Sequence, residues 1–165
     1  MSSCSAVPGE IERRVMIPID HSVNSRRALD WYLKNLARRN DLVIFVHSAD
    51  RLETATRASS SKEELSQKLG SLYKASKLTI SGGNTLCEDY INAVELENLR
   101  AKKVIYVDQH PGKAIVRAAG EFKPHVIVMG NRGVGKIHET FLGSVSVYVL
   151  HHTIVPVCIV PPVKS

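Results

Sequence analysis

Short apolar runs alternate along this chain with longer segments whose apolar positions recur every three or four residues. The runs at 14–20 (Arg14-Val-Met-Ile-Pro-Ile-Asp20), 41–47, 103–107, 125–129 and 153–160 are short and rich in β-branched residues, the pattern of buried strands. Between the first two, residues 25–39 carry Ala28, Leu29, Tyr32, Leu33, Leu36 and Ala37 on one helical face. Residues 113–122 repeat that pattern with Ala114, Ile115, Ala118 and Ala119, and Pro124 ends it. A third helix runs from Ser144 to about His152.

The stretch 49–85 is the least regular. Residues 51–61 are polar and rich in Ser and Thr, which predicts a loop. Leu65, Leu69, Leu72 and Leu78 then follow a nearly helical spacing, and Ser81-Gly82-Gly83-Asn84 breaks it. A helix resumes over 88–100 with Ile91, Val94, Leu96 and Leu99 available for burial. Five strands alternating with helices predict an α/β fold: a doubly wound open sheet of five mainly parallel strands with helices on both faces, Rossmann-like in architecture. Residues 1–12, polar and interrupted by Pro8-Gly9, read as a flexible tail, and 13–165 as a single domain.

In such sheets ligands sit beyond the carboxyl ends of the strands, where the winding reverses. That rule brings Asp20, Ser48 and the glycines after Met129 to one rim. The fourth strand runs directly into Gly130, Gly133 and Gly135, and Gly143-Ser144 then opens an apolar helix. Glycine lets backbone N–H groups approach an anion, and a helix start supplies unpaired donors at a positive dipole end. Two common phosphate motifs are excluded. Gly130 to Lys136 has the spacing of a P-loop, but Ile137 stands where the magnesium-binding hydroxyl belongs. The third glycine of a dinucleotide fingerprint begun at Gly133 falls on His138, and no acidic residue follows about twenty positions on.

Composition narrows the class. At 165 residues the chain can bury a sizeable core, and its 44% hydrophobic and 23% charged residues are ordinary for a soluble globular protein. The net charge of +6 is spread out and the few aromatics do not interleave with basic clusters, so nucleic acid is not the expected partner. Cys4, Cys87 and Cys158 are odd in number and widely spaced, which argues against a disulfide framework or a zinc site. No apolar leader opens the chain, and the longest apolar stretch, 154–163, is too short for a bilayer and holds three prolines. The expected setting is the cytoplasm, without membrane association.

The pattern Gly130-x2-Gly133-x9-Gly143-Ser144, after a Val-Ile-Val-Met strand, resembles the ATP-binding branch of the universal stress protein family. The resemblance covers residues 14–48 and 101–162. It implies ATP as ligand, with any magnesium carried by the phosphates. Pro18-Ile19-Asp20 matches the family's first-strand run, and the Asp is implied to contact the adenine–ribose end. Val46-His47-Ser48 matches the second-strand end, where backbone at Ser48 is implied to read adenine. Met129, Gly130, Gly133, Gly143, Ser144, Val145 and Ser146 match the ribose and phosphate loop, with Arg132 inside it. The resemblance further implies a homodimer through the last strand, an edge with unpaired backbone whose prolines limit pairing.

Each residue also has a plainer reading. Asp20 serves equally as a helix N-cap. Lys136 without the P-loop hydroxyl reads as a solvated loop residue. His138, His151 and His152 lack metal-ligand spacing, Cys158 reads as a small core residue, and Tyr90, Tyr106 and Tyr148 as packing without aromatic partners. Glu139 is the only acid in the loop, so catalysis is expected to be at most a weak ATPase. The expected role is a nucleotide-dependent regulatory module acting on a downstream protein. The alternative is an interaction module of the same fold whose nucleotide site is vestigial.

Overall fold

The computed structural model describes residues 13–49, 62–131 and 142–162, and in the long second helix the side chains only from residue 77, except that of residue 79. The elements in order are β1 (Arg13–Ile19), α1 (Val23–Asn35), β2 (Asp41–Ala49), α2 (Lys62–Glu95), β3 (Arg100–Val107), α3 (Pro111–Phe122), β4 (Val126–Gly130), α4 (Ser144–His152) and β5 (Val157–Val160). The strands form one sheet in the order β3-β2-β1-β4-β5. Every pairing is parallel.

Alternation along the strands sends side chains into two cores. Val15, Ile17 and Ile19 of β1, Val43 and Phe45 of β2 and Val128 of β4 pack with Ala28, Leu29 and Tyr32 of α1 and Leu86, Tyr90 and Val94 of α2. Met16, Ile44, Val46, Ile127 and Met129 point the other way, onto Ile115, Ala118 and Ala119 of α3 and Val149 of α4. A strand buried on both faces reads as a continuous apolar run, which is why all the central strands were visible in the sequence. The expected doubly wound five-stranded sheet is therefore the observed one. Winding reverses between β1 and β4: β1 leads through α1 to β2, and β4 leads through α4 to β5.

Several boundaries move. The Gly82-Gly83 break does not exist, since α2 runs unbroken from Lys62 to Glu95. At Gly83 a Cβ would lie 2.9 Å from His47 Cδ2 and 3.5 Å from Ile105 Cδ1. The missing side chain lets α2 lie directly on β2 and β3, and this tertiary contact outweighs the local cost of glycine in a helix, about 1 kcal/mol. α1 closes at Leu36, not at residue 39. α3 starts earlier than expected, with Pro111 in its first turn, and closes on Lys123 in the left-handed region (φ 46°), one residue before Pro124. β5 is confined to Val157–Val160; Ile154 is fully exposed and Pro156 precedes the paired stretch.

Two of the three tyrosines do meet rings, while Tyr106 lies under the Arg117 guanidinium. Tyr90 packs edge-on to Phe45 with centroids 5.5 Å apart, and Tyr148 stacks on His152 at 3.9 Å, one helical turn away. Among the described residues no helix is long and apolar enough to cross a membrane.

Candidate functional site

A cavity of about 200 Å³ opens at the carboxyl edge of the sheet, over the reversal between β1 and β4. Its floor is Pro18, Ile19, Val46 and Met129, and Ile115 and Pro111 of α3 close one side. Asp20, Ser22, Asn24 and Ser25 line the turn into α1, Ser48 the end of β2, and Gly130, Gly143, Ser144, Val145 and Ser146 the approach to α4. Ten of the residues singled out in the sequence thus share one wall: Pro18, Ile19, Asp20, Ser48, Met129, Gly130, Gly143, Ser144, Val145 and Ser146. Arg132 and Gly133 lie outside the described residues, as do Gly135, Lys136, His138 and Glu139.

Asp20 is built into the turn that starts α1. Its Oδ1 accepts from Ser22 N at 2.9 Å, Ser22 Oγ at 2.5 Å and lies 2.9 Å from Ser25 Oγ. The N-cap itself is Ser22, whose hydroxyl faces Ser25 N at 3.5 Å. Ser25 is buried, and its single proton has the Asp20 carbonyl, Asp20 Oδ1 and the Ser22 carbonyl within 3.0 Å. Tyr90 of α2 donates to Ser25 Oγ at 3.0 Å, and burial pushes the Tyr90 phenol above its ordinary value, keeping it protonated. A chain of hydrogen bonds therefore runs from α2 through α1 to the carboxylate at the cavity.

On the β2 side, Ser48 Oγ donates to the Asp108 carbonyl at 2.8 Å, which ties the end of β2 to the segment leading into α3. The buried His47 turns Nδ1 to the Ile19 carbonyl at 3.0 Å; a carbonyl only accepts, so Nδ1 carries the proton.

α4 begins at Gly143, which occupies the N-cap without a side-chain cap, and no acidic residue lies in its first turn. α3 begins at His110, likewise without a side-chain cap. The start of α4 thus borders the cavity with uncapped backbone donors, a positive environment suited to an anion, whereas at α3 Pro111 has no N–H and Lys113 N already donates to the His110 carbonyl at 2.9 Å. Gly130 lines the cavity and also has a packing role. A Cβ there would lie 2.1 Å from the Asn24 carbonyl oxygen, so glycine lets β4 meet the start of α1. Gly143 has none of the described residues within 4 Å of its Cβ position and a φ of −60°.

Asn131 was missed in the sequence. It is buried, its N–H donates to the Val160 carbonyl at 3.0 Å, and its Oδ1 lies 3.3 Å from Gly143 N. It bridges the two flanks of the glycine segment. A polar residue directly after the strand end was its only sequence signal. Asn24, Val46, Pro111 and Ile115 also line the cavity without having been picked out, because only the crossover of β1 and β4 brings them there.

The fold and site define a class: a parallel α/β sheet with a ligand crevice at its switch point. Residues 12–161 match the universal stress protein family, and the chain belongs to it. An uncharacterized protein of Schizosaccharomyces pombe is 26% identical over 144 residues, covering 87% of this chain but 22% of that protein, so the chain spans about a fifth of that relative's length. A hypothetical protein solved as a test case of structural genomics shares the fold at TM-score 0.68, with 24% identity, 94% of this chain and 100% of that one covered. An Arabidopsis thaliana universal stress protein family protein with AMP bound matches at TM-score 0.61, 19% identity, 92% of this chain and 93% of its own. The Archaeoglobus fulgidus universal stress protein in complex with dAMP gives 0.60, 20% identity, 91% and 98%.

Proposed function

We propose that this chain is an ATP-binding universal stress protein that acts as a nucleotide-dependent regulatory module in the stress response, with slow or no hydrolysis. The observation that carries the reading is the cavity itself. Residues from β1, β2, β4 and α4 that are distant in sequence line one crevice, and the uncapped start of α4 borders it. The AMP and dAMP in two structural neighbours support an adenine nucleotide as the ligand.

The residues suit such a ligand. Val46, Ile115 and Met129 offer an apolar slot for the base, with backbone at Ser48 along its edge. Asp20, held from behind by Ser22 and Ser25, offers an acceptor for ribose hydroxyls. The cavity is smaller than the roughly 300 Å³ at the lower end for drug-sized ligands, so it takes base and ribose while the phosphates lie at its mouth. There Gly130, Gly143 and the N–H groups of Ser144, Val145 and Ser146 face them, with Arg132 and Gly133 joining from the glycine segment. Asp20 is the only carboxylate among the described lining residues, and it sits at the ribose end. Magnesium would therefore travel on the phosphates, and little in this wall activates water.

The wider assignment follows the same reading: one domain over 13–165, working in the cytoplasm as a homodimer paired through the outermost strand, β5, and passing its state to a downstream protein. Titration calorimetry with ATP, ADP and AMP in the presence of magnesium, together with a phosphate-release assay, tests it. Stoichiometric binding with negligible turnover supports the module. A well-folded protein that binds none of the three nucleotides makes the site vestigial and leaves the interaction-module reading in its place. Rapid magnesium-dependent hydrolysis makes the chain an enzyme.

A further inference from the structure

Arg27 lies on α1, behind the cavity wall. Its Nη2 donates to the Asn131 carbonyl at 2.5 Å and to Asn24 Oδ1 at 3.0 Å. Its Nε is buried and has no partner among the described residues. Arg27 is half-buried, and a buried donor left unsatisfied is costly, so its position reflects what it holds. What it holds is the first peptide after β4. The side chain of that residue, Asn131, in turn reaches Gly143 N at 3.3 Å. Asn24, the second acceptor, presents its backbone to Gly130 so closely that no Cβ fits between them.

From this geometry we infer that Arg27 is a positioning residue for the phosphate end of the site: it clamps Asn131, and Asn131 fixes the start of α4 relative to the end of β4. The inference rests on the nucleotide reading above and adds to it a basic residue that does not itself line the cavity. The clamp bonds to the Asn131 backbone and to Asn24 on the α1 side of the cavity, whereas the base and ribose contacts come from Asp20, Val46, Ser48, Ile115 and Met129. It therefore governs affinity for phosphorylated ligands and not for the nucleoside. The contact is charge-assisted and part-buried, the kind of hydrogen bond whose loss is felt.

The test compares adenosine with ATP by titration calorimetry on three variants: Arg27→Met, Asn131→Ala and the double variant. The expected result is unchanged adenosine affinity in all three and ATP affinity lowered about tenfold in each single variant. The double variant should be no worse than the weaker single one, because both substitutions open the same clamp. A merely structural role lowers adenosine and ATP affinity together, which overturns the inference. So does ATP affinity that survives Arg27→Met, or additive losses in the double variant. Loss with Arg27→Met but not with Asn131→Ala assigns the effect to the charge of Arg27 alone and also overturns the clamp. If the unsubstituted chain binds neither ligand, the nucleotide reading itself fails and the inference falls with it. Should Arg27→Met fold poorly, as shown by its melting curve, Arg27→Gln takes its place beside Asn131→Ala: a loss confined to ATP in both sustains the clamp, and ATP affinity unchanged in either removes it.

Discussion

Gly83 meets the imidazole of His47 where a methyl group would not fit, 2.9 Å from its Cδ2, while its neighbour Gly82 has open space around the same position. His47 cannot easily give way. Its ring is held by the hydrogen bond from Nδ1 to the Ile19 carbonyl, on the strand that forms the cavity floor. Two adjacent glycines in one helix thus have opposite roles, and their substitutions should have opposite signs.

Gly82→Ala should stabilise the protein by about 0.5–1 kcal/mol, the helix propensity recovered at an open position. Gly83→Ala gains the same propensity but overpacks the α2–β2 contact at about 1–3 kcal/mol, for a net loss of about 1 kcal/mol. Urea unfolding of both variants measures this. Equal shifts of the same sign would show that the Gly83 contact relaxes freely.

That pair also shows where sequence reasoning ran out. A glycine in a helical pattern signals a break locally, and only the packing of α2 on β2 reverses the signal. The strands were legible because burial on both faces gives Val15-Met-Ile17 and Val126-Ile-Val-Met129 an unbroken apolar run. The cavity rim was legible because Asp20, Ser48 and Gly130 all sit at strand ends. Asn131 and Arg27 were not, since their roles arise from contacts across |i−j| of 12 and 104 that no periodicity encodes. Strand order was likewise beyond periodicity, which says nothing about which strand lies beside which.

At the opposite end of the sheet, the buried Asp41 accepts from Arg13 Nε at 2.8 Å and Nη2 at 2.6 Å, from Tyr32 OH at 2.6 Å and from Arg38 N at 2.9 Å. Burial raises its carboxyl, but the Arg13 guanidinium, Tyr32 and the Arg38 amide outweigh this and hold it below its ordinary value of 3.8. A depressed folded value means that the stabilisation is complete above the unfolded value and is lost as pH falls from about 4 through the folded one. Asp41→Asn strands Arg13 and should cost about 3–5 kcal/mol at pH 7. It should also flatten the dependence of unfolding free energy on pH below 4. A variant with the same acid slope as the original would assign acid sensitivity to other carboxyls. Tyr32, whose phenol burial and Asp41 hold well above its usual range, adds no pH dependence near neutrality.

Ser25 joins Tyr90 to Asp20, so its removal leaves a buried phenol without its acceptor. Ser25→Ala should cost about 2 kcal/mol, and Tyr90→Phe about 1 kcal/mol. Combining them should cost less than the sum, because the second change removes the group that the first leaves unsatisfied. A double-mutant cycle in urea provides the coupling energy. Simple additivity would mean that water replaces the serine hydroxyl as the acceptor of Tyr90.

Gly143 and Gly130 both border the mouth of the cavity, yet they should fail differently. Gly143 has an ordinary φ and, among the described residues, no neighbour within 4 Å of its Cβ position, so a side chain there points into the ligand's path. Gly143→Leu should lower ATP affinity more than tenfold, while the lost glycine N-cap costs about 0.5–1 kcal/mol of stability. Gly130→Ala instead drives a methyl into the Asn24 carbonyl oxygen at 2.1 Å, backbone that cannot rotate away. Its unfolding free energy should fall by about 3 kcal/mol or more, with affinity lost only through the displaced fold. Calorimetric titration alongside thermal melts separates the two. Undiminished ATP binding by a folded Gly143→Leu protein would move the phosphates away from the start of α4, because a leucine side chain there would occupy the path to its N–H groups.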